Sequence, residues 1–164
     1  MAEMFLQLDK IEGESIDKDH AAWIELKSWS WNTTNTVKWH MNQGGQSTQV
    51  SVKGIKVDKI CDKASVTLYQ NCVTGKHIAS GQIVCRKNDG ENKIEYMILE
   101  LKDIMISDIT FTGNGGDQSI DEAVTIEFAE FNLKYKVQQD SGDAASGYKS
   151  FSFHIQTQRQ HSEG

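Results

Sequence analysis

An all-β fold is predicted by three observations: apolar residues alternate with period two along most of the chain, turn residues separate those stretches, and proline is absent. The architecture expected is a small β-barrel, or two packed antiparallel sheets, with one flanking α-helix over about 64–74. In chain order, Trp29-Ser30-Trp31 alternates, sending both indoles to one face and Ser30 to the other. The helix candidate follows: Asp62 or Ser65 can cap it, Val66, Leu68, Tyr69 and Cys72 form an apolar stripe, and Gly75 ends it. Asp89-Gly90, between the runs 83–87 and 94–101, is a hairpin signal, because both residues tolerate positive φ. Between 123 and 137 the pattern changes phase near Ala129-Glu130. Either a bulge restores the register there or the second half of the strand serves another buried surface. Phe151, Phe153 and Ile155 then define a half-buried strand. Other breaks fall at Gly13, at Gly44-Gly45, at Gly113 to Gly116 and across 141–147, which leaves seven to nine strands. About eight prolines would be average for this length, so their absence frees every strand residue to donate its backbone N–H.

At 164 residues the chain fits one domain, 1–164, with 156–164 expected as a fraying tail. The formal net charge of -6 argues against attraction to nucleic acid or to an anionic membrane surface. No apolar run approaches the ~20 residues that cross a bilayer, and the first residues lack the basic and apolar regions of an export signal. Cys61, Cys72 and Cys85 have neither the number nor the spacing of a disulfide framework or a zinc pair, which fits reduced thiols in a cytosolic protein.

Chemistry is sparse. Gly113-Asn114-Gly115-Gly116-Asp117 lacks the Lys-Ser/Thr of a phosphate loop, and no Gly-x-Ser-x-Gly elbow occurs. Asp17, Asp19 and His20 match no metal-ligand spacing and read as a solvated, charged turn. No catalytic residue, cofactor site or metal site is expected. The tryptophans Trp23, Trp29, Trp31 and Trp39 fit core packing, a stacking platform or a subunit interface. From Asn32 to Gln49 the chain is polar except for Val37, Trp39 and Met41, an alternating trio suited to a projecting hairpin arm. That arm either contacts another chain or folds back on its own barrel.

Gly13-Glu14-Ser15-Ile16-Asp17-Lys18-Asp19-His20, Trp29-Ser30-Trp31, Gly75-Lys76-His77 after a helix, and Glu95-Tyr96-Met97-Ile98 leading to Leu101-Lys102-Asp103 occur in this order. With this set the sequence resembles the haemolysin-coregulated protein (Hcp) family of the bacterial type VI secretion system. The family often has Gly where this chain has Asn32, and a Pro near the helix start, where this chain has Ala64-Ser65-Val66. The resemblance implies a β-barrel subunit that forms hexameric rings. Those rings stack into a tube inside a contractile sheath, with sheath and spike proteins as partners, and the tube is propelled out of the cell and can carry effector proteins in its lumen. It implies no enzymatic activity, synthesis in the bacterial cytoplasm without a signal peptide, and delivery to the medium or a target cell. The polar arm matches the family's extended loop, so Trp39, His40 and Met41 are expected in inter-subunit or inter-ring contacts. Ser30, facing away from the indoles, is expected at the lumen wall. The competing reading is a monomeric barrel that binds a carbohydrate or small ligand on its tryptophans.

Overall fold

The computed structural model describes residues 2–38, 47–89, 92–137, 147–157 and 159–161. In chain order the elements are β1 (Glu3–Leu8), β2 (Ile24–Glu25), β3 (Ser28–Ser30), β4 (Thr33–Lys38), β5 (Ser47–Val52), β6 (Ile55–Ile60), α1 (Ala64–Thr74), β7 (Ile78–Asp89), β8 (Asn92–Thr112), β9 (Asp121–Lys136), β10 (Tyr148–His154) and β11 (Arg159–His161). Among the described residues the paired strands run antiparallel, as expected. One sheet follows the order β11-β10-β9-β8-β7-β1-β2, and β6 joins β9 to β3. Because β2 and β3 belong to one continuous segment, 24–30, that segment bridges the two ends: Leu26 N–H donates to Met4 O, and Lys27 N–H to Asp58 O. The sheet thus curls around a core that includes Leu6, Ile24, Val57, Leu68, Ile83, Leu101, Ile104 and Ile126. β7 and β8 pair as far as Asp89 and Asn92, and the turn between them lies outside the described residues. Within 156–164, the stretch expected to fray, residues 159–161 pair with β10.

The change of phase in β9 has a local cause. Register between β8 and β9 is unbroken from Lys102↔Glu130 to Ile104↔Phe128, so no residue is inserted there. Instead Asp103, at the level of Ala129, takes φ 52, a left-handed conformation that reverses which way the following side chains point. Both strands switch face together. Leu101 and Ile104 on β8, and Phe128 and Phe131 on β9, are therefore all buried in one core although each pair is three positions apart.

Helix α1 runs along the part of β8 beyond Ile104, where the pairing with β7 stops: Tyr69 lies 5.8 Å from Phe111 between ring centroids, and Gly75 lies beside Met105. It covers an edge that would otherwise present unpaired backbone groups. The expected boundaries hold. Gly75 is left-handed at φ 65 and Asp62 accepts the Ala64 N–H at 3.0 Å. The expected stripe holds only at Leu68, which is buried, and Cys72, which packs against the core. Ala64, Ser65, Leu68 and Asn71 face inward, whereas Val66, Tyr69 and Val73 are exposed. Small and polar residues take the inner face because the helix start packs onto a buried ion cluster. Lys59 Nζ, fully enclosed, donates to Glu122 Oε2 at 2.8 Å, Asp62 Oδ1 at 2.9 Å and Ser65 Oγ at 3.0 Å. All three ammonium protons are used. Two carboxylates against one ammonium leave an excess negative charge, which the positive end of α1 offsets.

Lys59 and Glu122 are register partners on β6 and β9, so the cluster also ties those strands to the helix. Lys59→Met strands two carboxylates and is expected to cost about 3–5 kcal/mol in urea unfolding. Lys59→Met with Glu122→Leu should regain most of that loss. Wild-type stability in the single variant would contradict this role.

Candidate functional site

The arm leaves the barrel at Asn32. Strands β4 and β5 form a separate two-stranded sheet and, among the described residues, pair only with each other, from Thr33↔Val52 to Lys38↔Ser47. Trp31 pins its base: Nε1–H donates to Lys53 O at 2.9 Å, and Lys53 N–H donates to Asn32 O at 3.1 Å. The register puts Val37, Val50 and Val52 on one face of the ribbon. Val37 is 43% and Val50 39% exposed. A lone two-stranded ribbon is at best marginally stable in water, so a ribbon with one apolar face favours a second layer. Between Asn32 and Val57 the sequence has Lys38, Lys53 and Lys56 and no acidic residue. Trp39, His40 and Met41, the residues expected in contacts with other subunits, lie outside the described residues.

Ser30 sits on β3 opposite Lys56 of β6 and is exposed, while Trp29 and Trp31 on either side turn inward. Trp29 Nε1–H donates to Cys85 Sγ at 3.3 Å. Burial pushes the Cys85 thiol pKa up, partly offset by that bond. Trp31 meets Phe128 and Phe131 edge-on at 5.9 and 4.8 Å. Ser30 is not brought together with the arm tip by any described contact.

Sequence reasoning missed the densest polar cluster. On the outer face of β1 and β7, Phe5 and Val84 are register partners, and the loop 12–23 covers them. The loop closes on itself through Gly13 N–H to Ala22 O at 2.7 Å and Ser15 N–H to Trp23 O at 3.0 Å. Only Gly fits at 13, because a Cβ there would stand 2.4 Å from Trp23 O. Underneath, Arg86 is 1% exposed. It donates to Glu3 Oε2 through Nε at 2.8 Å and Nη2 at 2.6 Å, and to Asp17 Oδ1 through Nη1 at 2.9 Å. Its guanidinium also lies over the Phe5 ring. His20, 2% exposed, stacks on Phe5 at 4.5 Å and reaches Glu95 Oε1 with Nε2 at 2.7 Å. Asp17 and His20 are therefore a packed latch and not the solvated turn expected, whereas Asp19 at its margin is exposed as expected. An arginine ending the apolar run Ile83-Val84-Cys85, in a chain with an acid-rich turn upstream, was the available signal. The latch holds no nucleophile against an open cleft, and among the described residues no group of three or more His, Cys, Asp or Glu could hold a metal ion.

Arg86 holds Asp17 well below the ordinary carboxylate range; desolvation opposes this, and bonds from His20 and the Asp19 amide add to it. A depressed native pKa means that the stabilisation is complete above the ordinary carboxylate range, roughly pH 4, and is lost as pH falls below it. Asp17→Asn is expected to lower stability at pH 7 and to flatten its decline below pH 4, followed by chemical denaturation at several pH values. An unchanged acid slope would contradict the latch.

Comparison with known proteins places this arrangement. The family model described as type VI secretion system effector, Hcp, matches residues 5–135. Protein hcp1 of Pseudomonas aeruginosa is 33% identical over 153 residues, covering 93% of this chain and 94% of that protein. The crystal structure of Hcp1 from Salmonella typhimurium superposes with a TM-score of 0.80 at 28% identity, over 98% of this chain and 99% of that one. A structure described as a type six secretion system protein reaches a TM-score of 0.88 at 23% identity, over 98% and 100% of the two chains, and supports the fold alone. Through the match over 5–135, the hcp1 relative and the shared curled sheet, this chain belongs to the Hcp family of type VI secretion system proteins.

Proposed function

We propose that the chain is a structural tube subunit that closes into homohexameric rings. The rings stack into a tube within the type VI sheath, behind a spike, and the tube leaves the cell with effector proteins in its lumen. Family membership carries this reading, and the ribbon of β4 and β5, which pairs with no other strand among the described residues and leaves Val37 and Val50 exposed, supports it. A heterologous interface repeated around an axis gives a closed ring when the rotation closes. The arm, with Trp39, His40 and Met41 beyond Lys38, serves contacts between subunits or rings, and Ser30 faces the lumen. The chain acts as a scaffold and not as a catalyst. Trp29 and Trp31 are turned onto Cys85 and the Phe128–Phe131 pair, which counts against a monomeric module that stacks a ligand on its indoles.

Light scattering coupled to size exclusion should give about six times 18.4 kDa, with annular particles in negative stain. Each subunit brings a charge of -6, so net repulsion opposes closure and rings should tighten as salt rises. A single-chain mass at high concentration in every buffer would refute the tube reading.

Ser30→Gln should leave rings intact and change cargo retention, measured by co-purification. Retention unchanged for every cargo would remove Ser30 from the lumen wall. Trp39→Ala should reduce ring stacking, and stacking at the wild-type level would remove Trp39 from the contact.

A further inference from the structure

The tip of the hairpin between β8 and β9 carries a reactive pair that the fold leaves free. Pairing of the two strands ends at Thr112↔Asp121, and residues 113–120 are all exposed. Gly113-Asn114-Gly115-Gly116-Asp117 is no phosphate loop, yet it holds Asn114, which alone among the eight asparagines of the chain precedes a glycine. Asn114 to Asp117 form a tight turn. Asp117 N–H donates to Asn114 O at 3.2 Å, and Gly116 takes φ 99, the positive φ that the third residue of a type II turn requires. That bond engages neither the Asn114 carboxamide nor the Gly115 N–H, and among the described residues both are without a hydrogen bond. The space around them is open: a Cβ built at Gly115 would meet nothing within 4 Å. Other asparagines are held. Asn71 is buried in α1, and Asn132 donates to Glu100 at 3.3 Å.

A backbone nitrogen that lies next to a carboxamide, bonded to nothing and unhindered by a Cβ, approaches it closely. We infer that Asn114-Gly115 is a site of spontaneous self-modification, where the main chain attacks its own side chain and the hairpin tip acquires a carboxylate. Gly115 N loses its proton to solvent base and forms a bond to Asn114 Cγ. The Cγ–Nδ2 bond breaks, ammonia leaves with a proton returned from solvent, and a five-membered succinimide remains. One water then opens that ring. Cleavage between Gly115 N and Cγ gives aspartate at 114. Cleavage between Gly115 N and the main-chain carbonyl carbon gives isoaspartate, with the main chain rerouted through Cβ and Cγ. One water is consumed and one ammonia released, and no oxidant, reductant or cofactor takes part. Each modified chain gains one negative charge, so its formal net charge moves from -6 to -7, at a tip that already holds Asp117 and ends at Asp121. In the isoaspartyl form the carbonyl that accepts the Asp117 N–H is no longer part of the main chain, and the turn loses the geometry described above.

Incubation of the full chain over days, at neutral and at mildly alkaline pH, native and in parallel unfolded in urea, tests this. A mass gain of about 1 Da per chain is expected, placed at Asn114 by tandem mass spectrometry of the tryptic peptide 103–134. Later elution from an anion exchanger should accompany it. An isoaspartyl methyltransferase supplied with S-adenosylmethionine should label the aged chain and not the fresh one. The rate should rise with pH, because the attacking nitrogen must first lose a proton. Native and unfolded chains should react at similar rates, since the turn engages neither group. Gly115→Ala places a methyl group in open space at a residue without positive φ, so it should slow the reaction about tenfold or more while leaving thermal unfolding unchanged. A native chain that keeps its mass while the unfolded one gains it would overturn the inference. So would a gain located at another asparagine, or a Gly115→Ala chain that reacts at the wild-type rate.

Discussion

The guanidinium of Arg86, enclosed between Glu3 and Asp17 on the outer face of β7, is the interaction on which the remaining geometry depends. A buried arginine without its carboxylates would be strongly destabilising, so the loop that supplies Asp17 must be in place whenever the sheet is formed. That loop delivers the chain to Ile24, and the segment 24–30 pairs first with β1 and then with β6. Bridging the sheet in this way turns Trp29 and Trp31 inward. It also fixes Asn32 as the point where the arm departs. A contact on one side of the barrel thereby sets the direction of a ribbon on another.

The two enclosed cations have separate roles. Lys59 joins β6, β9 and the start of α1 from inside the core side of the sheet, and its partners are buried with it. Arg86 works on the opposite face, where Asp19 and Lys93 at the margin are exposed. The first holds the barrel together. The second holds an accessory loop on the barrel through Asp17. The arm is built differently: its two strands pair with no other strand among the described residues, and of its valines Val52 packs on the core while Val37 and Val50 are exposed.

Much of this fold could be read from the sequence because strand periodicity and turn chemistry are local signals. The Trp29-Ser30-Trp31 alternation, the helix end at Gly75 and the hairpin between β7 and β8 all depend on neighbours within a few residues. The failures share a cause. Arg86 meets partners 69 and 83 positions away, so its place at the end of an apolar run marks it as unusual without naming the partners that form the latch. The helix stripe pointed at Val66 and Tyr69 by hydrophobicity alone, whereas close approach to the Lys59 cluster selects Ala64, Ser65 and Asn71. The phase change in β9 was visible, yet its origin lies across the ladder, in the left-handed backbone of Asp103. The family was legible from motif order.

Amide hydrogen exchange of an Arg86→Met variant, read by mass spectrometry on intact native protein, tests the central dependence most directly. Protection should fall across the loop 13–23 and into the bridging segment 24–30, while the amides of β8 and β9 that flank Leu101 and Phe131 keep theirs. Unchanged protection in the loop would mean that Phe5 packing and backbone bonds alone hold it, and that Arg86 is not the anchor described.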